Sequence, residues 1–176
     1  GGAAYWIVGG LAKIYVHNGT TWTDITRTSG DYSATADENW MSTVIGGVLV
    51  MTNNVDDPQE WPLTSGVPSV STKMQDLANW PASLECKSIR SFRSFLVGLN
   101  ITKSSVPNSR VVKWSTEAPI NAVPVSWDEN SAVVDAGEYS LEDTKGAILD
   151  GLPLQDTFMI YKEDSTYAMT YVGTPF

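Results

Sequence analysis

Cysteine, histidine and helix-forming runs are what this sequence has least of. One cysteine, Cys86, stands among 176 residues, so neither an intrachain disulfide nor a thiolate metal site is available. A lone thiol of this kind is expected in the apolar interior, and the scarcity of cysteine fits assembly in a cytosol. One histidine, His17, excludes zinc or iron centres that need several imidazoles. It stands just before Asn18-Gly19, as a hairpin-tip side chain would, and no Gly-x-Ser-x-Gly elbow accompanies it. The longest apolar run, Val44–Met51, holds two glycines and is far too short to span a bilayer. Ala, Leu, Glu and Lys at helical spacing are missing, while Thr, Ser, Val, Gly and aromatics abound, a composition that favours strands. With 42% apolar and 18% charged residues, the chain has the make-up of a globular domain.

Basic residues are also scarce, and they are segregated. Residues 1–85 carry three basic and nine acidic side chains. Residues 86–116 carry Lys87, Arg90, Arg93, Lys103, Arg110 and Lys113 with no acid, and residues 117–164 carry eleven acids against Lys145 and Lys162. The zones sum to −6, +6 and −9. Segregated charge can orient subunits, so Lys87, Arg90, Arg93, Arg110 and Lys113 are candidate subunit-interface residues facing an acidic zone of a neighbour. The alternative is that folding mixes the zones into a neutral patchwork.

What is present is a loosely repeated unit. Residues 10–19, 47–54, 92–100 and 154–164 each join a short apolar stretch to a polar tip. Trp22, Trp61 and Trp114 follow the first three tips, and Tyr167 and Tyr171 follow the fourth. The centres Ile14, Val50, Val97 and Ile160 lie 36, 47 and 63 residues apart. A strand, a turn and an aromatic-bearing strand at such intervals predict an all-β, antiparallel, partial β-propeller of about four blade-like modules over residues 1–176. A β-sandwich or another mixed β-rich domain would give similar short strands. The chain opens on Gly1-Gly2-Ala3-Ala4 and closes on Gly173-Thr174-Pro175-Phe176, and is expected to be a piece of something longer.

Local signals place hairpins at Asn18-Gly19 and at Gly46-Gly47, where positive φ is tolerated. Residues 74–81 could make one helical turn before Pro81. Residues 101–109 read as an exposed connection, Ser140 to Asp143 as a capping box without a helix, and Asp150-Gly151 as a tight turn. Trp22, Trp61 and Trp114 are expected to pack blades. Trp80 and Trp127, in loops, are the candidate exposed aromatics that could anchor an interface.

Signals for chemistry are weak. The pairs Asp56-Asp57, Glu142-Asp143 and Glu163-Asp164 are adjacent, and strand neighbours point to opposite faces, so none forms the converging carboxylates of a glycosidase. Asn53 to Asp57 offers oxygen ligands without the spacing of a calcium loop. No glycine-rich phosphate loop precedes a helix. No cofactor, metal or catalytic residue is therefore expected. Lys87 to Phe95 mixes basic and aromatic residues, but firm DNA binding conflicts with a net charge of −9, because phosphate contact rests on basic side chains.

Several strings resemble the β-propeller-bearing tail nozzle, or packaged-DNA-stabilisation, proteins of short-tailed bacteriophages. They are residues 53–61, 89–98 and 110–115, and above all Leu152–Asp156, Ile160–Tyr167 and Met169–Phe176; their order over residues 40–176 carries the likeness. The resemblance implies a virion structural protein that forms rings, often hexameric, at the head-to-tail junction. Such a protein contacts other tail and connector proteins, guides DNA, and carries no catalytic residues to transfer. Its place would be the virion tail, after assembly in the host cytoplasm. Such proteins are much longer than this chain. A carbohydrate-binding propeller and a propeller glycosidase are the competing classes.

Overall fold

Two glycines show how local chemistry sets the chain's course. Gly46 and Gly47 both take positive φ, 56° and 87°, the pair of left-handed conformations that closes a two-residue type I′ hairpin. The structure, a computed structural model, describes residues 4–37 and 39–173. It contains four antiparallel sheets and, among the described residues, no helix. Among these residues no helix is therefore long and apolar enough to cross a membrane.

Sheet 1 holds β1 (Trp6–Gly9), β2 (Ile14–His17) and β3 (Trp22–Asp24). Sheet 2 holds β4 (Met41–Ile45), β5 (Val48–Thr52), β6 (Gln59–Trp61) and β7 (Gln75–Asp76). Sheet 3 holds β8 (Leu84–Phe92), β9 (Phe95–Lys103), β10 (Val106–Trp114) and β11 (Gly137–Ser140). Sheet 4 holds β12 (Ile148–Leu154), β13 (Thr157–Lys162) and β14 (Thr166–Thr170). In every sheet the strands lie in chain order as a meander, so all pairings are local and each sheet forms from one continuous segment.

The sheets stack face to face in the same order, and three apolar layers bind them. Ile14, Val16 and Ile25 meet Met51, Trp61 and Met74 between sheets 1 and 2. Ile45, Val48 and Val50 meet Cys86, Ile89, Leu96 and Ile101 between sheets 2 and 3. Phe92, Val97 and Leu99 meet Ile148, Phe158 and Ile160 between sheets 3 and 4. Burying each of these side chains is worth about 1.5–3 kcal/mol, and no single sheet could hide both its faces alone. The first strands of sheets 2, 3 and 4 come side by side, β4 against β8 and β8 against β12.

Several local expectations are corrected. Residues 101–109 are the heart of a long hairpin: β9 runs on past Asn100, whose φ of 56° makes a kink rather than an end, and Ser104-Ser105 turn the chain with φ of 47° and 65°. Residues 74–81 make no helical turn. Gln75 and Asp76 pair with Glu60 and Gln59, and Gln75 Nε2 donates to Glu60 Oε1. Asp150-Gly151 is no turn, since β12 passes through it with a bulge and reverses at Gln155, φ 54°. Ser140 caps nothing; it ends β11, and its hydroxyl donates to Glu142. The Asn18-Gly19 hairpin forms as expected, with Asn18 Oδ1 accepting from Thr20 and Thr21 N–H groups at 3.0 and 2.9 Å.

Candidate functional site: a polar seam across three sheets

The first strands of sheets 2, 3 and 4 are edge strands with unpaired backbone groups, and such edges must find partners. Arg90, in the middle strand β8, serves both neighbours. Its Nη1 donates to the Ser42 carbonyl of β4 at 2.9 Å. Its Nε and Nη2 grip both oxygens of Asp150 in β12, at 3.0 and 2.6 Å. This planar bidentate fit is one that a lysine could not reproduce. Ser88 Oγ adds a third donor to Asp150 at 2.6 Å. On the other flank Thr43 Oγ1 accepts from Ser91 N–H and contacts Ser91 Oγ, both at 2.9 Å. Asn100 Nδ2 donates to the Ile148 carbonyl at 2.8 Å. Burial disfavours ionised Asp150, but the hydrogen bonds from Arg90 and Ser88 outweigh it, and the carboxyl titrates below its ordinary range.

The other candidate cations are placed by the same rule. Arg93 pairs with Asp156 at 3.1 Å and Arg110 with Glu142 at 3.0 Å. Lys113 is only 2% exposed and lies between Glu129 at 2.5 Å and Glu138 at 3.5 Å. Lys103 reaches Glu138 as well. Lys87 is exposed and makes no ion pair with any described residue. Much of this zone already finds acids within its own chain. Five of its six cations meet acids of residues 129–156 inside the same chain, because sheet 4 and the loop after β10 fold back onto sheet 3. Lys113, being enclosed, presents nothing to a partner.

The aromatic expectations divide. Trp61 is buried and donates Nε1 to the Thr72 carbonyl, and Trp114 packs partly buried against the layer between sheets 3 and 4. Trp22, expected to pack a blade, is 57% exposed. Trp80 and Trp127, expected to be exposed, are not. Trp127 is 2% exposed, and Trp80 sits half-buried against it, edge to face, with centroids 4.6 Å apart. The loop carrying Trp127 is closed by backbone and side-chain hydrogen bonds between Thr116 and Ser126, and Trp80 donates Nε1 to the Leu84 carbonyl. The outward aromatic row is one that sequence reasoning missed: Trp6, His17 and Trp22 stand side by side on sheet 1, with ring centroids 5.8 and 4.8 Å apart. The alternation in β1 and β2 carried that signal.

Other candidate groups are occupied by the protein itself. Asn53 Oδ1 accepts from the Val55 and Asp56 N–H groups. Asp56 is held by Arg27 at 2.7 Å, by Ser33 N–H and by Asn53 Nδ2. Among the described residues no three acids, cysteines or histidines gather as a metal site would require. Cys86 is buried, and burial pushes its thiol up to about 12. A cavity of about 380 Å³, lined chiefly by Phe92, Phe95, Val97, Trp114 and Met169, opens between sheets 3 and 4.

No protein-family model matches this sequence, and no curated protein matches it either.

Proposed function

We propose that this chain is part of a β-propeller and serves as a structural component of a short-tailed bacteriophage tail, in the tube or nozzle at the head-to-tail junction. There it would join a homo-oligomeric ring, contact other tail and connector proteins, and help to wall and guide the genome within the DNA channel. The observation that carries the reading is the stack of four meander sheets in chain order, with β4, β8 and β12 adjacent, since propeller blades set their first strands around the centre. The charge distribution supports it. With five of the six cations of residues 86–116 committed to acids in the same chain, the free surface is acidic overall. A wall past which DNA slides without adhering calls for such a surface. The Arg90 seam acts in this reading as a strut, not as a reactive site.

Immunogold labelling of purified virions, with antibody raised against this chain, tests the proposal. Label at the tail is expected. Virions without label, from cells that make the protein, would overturn it.

A second reading is favoured by the exposed Trp6–His17–Trp22 row: a carbohydrate-binding module that stacks sugars on aromatic rings. Binding on a glycan array that is lost in Trp22→Ala would support it, and silence on the array would remove it.

A further inference from the structure

Asn18 is the only asparagine in the chain that precedes a glycine, and asparagine is among the side chains that decay spontaneously. In that decay the backbone nitrogen of the next residue attacks the side-chain amide, so a following residue without a Cβ leaves the approach open. At Gly19 it is open: φ is +94°, and no atom lies within 4 Å of the place a Cβ would take. Asn18, Gly19, Thr20 and Thr21 are all exposed, so water reaches the tip.

What sets this hairpin apart is a base beside the nucleophile. The Gly19 N–H donates to His17 Nδ1 at 3.2 Å, so the imidazole that accepts it is neutral and carries its own proton on Nε2. A general base must lie within about 2.6–3.2 Å of the atom whose proton it takes, and His17 meets that condition. The ring is held between Trp6 and Trp22, with centroids 5.8 and 4.8 Å away.

The electrophile is prepared as well. Asn18 Oδ1 accepts from the Thr20 and Thr21 N–H groups at 3.0 and 2.9 Å. Two backbone donors on this oxygen stabilise the negative charge it gains when the amide carbon is attacked.

We propose that this hairpin is a self-modification site, at which His17 acts as general base for deamidation of Asn18. His17 Nδ1 takes the proton of the Gly19 amide, and Gly19 N bonds to Asn18 Cγ while the Cγ–Nδ2 bond breaks. The imidazolium returns the proton, and Nδ2 leaves as ammonia. Water then opens the cyclic imide at either carbonyl, which leaves aspartate or isoaspartate at position 18 with no change of oxidation state. Isoaspartate adds a carbon to the backbone and undoes the turn that Oδ1 caps between β2 and β3. Either product sets a new carboxylate beside the Trp6–His17–Trp22 row. The tip thus works as a slow covalent clock on sheet 1. The inference goes beyond the function proposed above and does not depend on it.

Trypsin releases residues 14–27 as one peptide, in which Asn18 is the only amide side chain. Mass spectrometry of this peptide, taken from the folded chain held for weeks in neutral buffer, should show the amide-to-acid mass change. Chromatography should separate its aspartate and isoaspartate forms. The folded chain should convert faster than the chain in guanidinium chloride by about tenfold or more, because unfolding takes His17 away from the Gly19 amide. His17→Phe should convert at the unfolded rate. His17→Gln, whose side-chain oxygen can accept the same hydrogen bond but takes up no proton at neutral pH, should be equally slow. A folded chain that converts no faster than the unfolded one would overturn the proposal, and so would His17→Gln converting at the wild-type rate. Should a variant lose the circular dichroism spectrum of wild type, the comparison of folded with unfolded wild type decides alone.

Discussion

The indole of Trp114 lies against the α-carbon of Gly137, its cross-strand partner at the junction of β10 and β11, so that a methyl group on that carbon would stand 2.2 Å from Cζ2. Glycine is needed here for space and not for its backbone freedom. The ring also donates Nε1 to the Asp135 carbonyl at 2.7 Å, which fixes it in place. Gly9 under Trp40 and Gly151 under Phe158 repeat the arrangement.

Gly137→Ala should therefore destabilise the fold by about 1–3 kcal/mol, the ordinary cost of overpacking, and lower the melting temperature by several degrees. Gly137→Ala added to Trp114→Ala should cost little more than Trp114→Ala alone, because the clash is gone. A double-mutant cycle in urea measures the coupling. Additive losses would show that the ring is not what excludes the methyl.

Arg90 and Asp150 make stability depend on acid. The Asp150 carboxyl is depressed in the folded chain and titrates near 3.9 when unfolded. Its contribution is thus full above about pH 4 and is lost as pH falls through the lower folded value. Arg90→Ala should cost about 2–3 kcal/mol at pH 7, since it strands a half-buried carboxylate. Asp150→Asn should flatten the fall in stability below pH 4. Asp24, held near 2 chiefly by its hydrogen bond with Thr26, keeps the remaining slope. Urea midpoints between pH 7 and pH 2 decide the matter; identical pH profiles for wild type and Asp150→Asn would remove Asp150 from the account.

The all-β class, the Gly46-Gly47 turn and the burial of Cys86 were legible in the sequence, because each follows from a local property: alternation, positive φ, a lone thiol. What lay beyond reach depends on which sheet meets which. The basic run from Lys87 to Lys113 and the acids after it matched in charge, yet sequence cannot say that sheet 4 returns over sheet 3. Sequence reading therefore missed the pairs that form within one chain. Trp127 follows Pro124 in a polar stretch that reads as a surface loop. Hydrogen bonds between Thr116 and Ser126, ten residues apart, and packing against Trp80 hold it inward. Trp22 failed in the opposite sense, because it stands on the face of sheet 1 opposite to Ile14 and Val16, turned away from the layer shared with sheet 2.

Lys113 offers a test of how a buried charge is held. Its ammonium has two acids within reach, and Glu138 keeps Lys103 as a second partner. Lys113→Met removes the buried cation without orphaning Glu138, and should change stability by no more than about 1 kcal/mol. Glu129→Gln with Glu138→Gln leaves the ammonium enclosed and unmatched, and should cost about 3–5 kcal/mol. Should the methionine variant prove the weaker of the two in urea unfolding, the acids are not what makes the buried lysine tolerable.

Cys86 reports on the integrity of the layer between sheets 2 and 3. Its side chain is fully enclosed, its sulfur lies 3.8 Å from Thr52 Oγ1, and burial holds the thiol near 12, well above its ordinary range. The thiolate is the species that attacks a disulfide reagent, so at pH 8 the native chain should react only through opening of that layer. Its labelling rate should then be slower than that of the urea-unfolded chain by several orders of magnitude, in step with global stability. Val50→Ala, which hollows the same layer, should speed labelling in proportion to its loss of stability, whereas Thr20→Ala at the exposed hairpin should change it little. Stoichiometric labelling of the folded chain within minutes would mean that sheets 2 and 3 part readily, and that the seam around Arg90 does not hold them together.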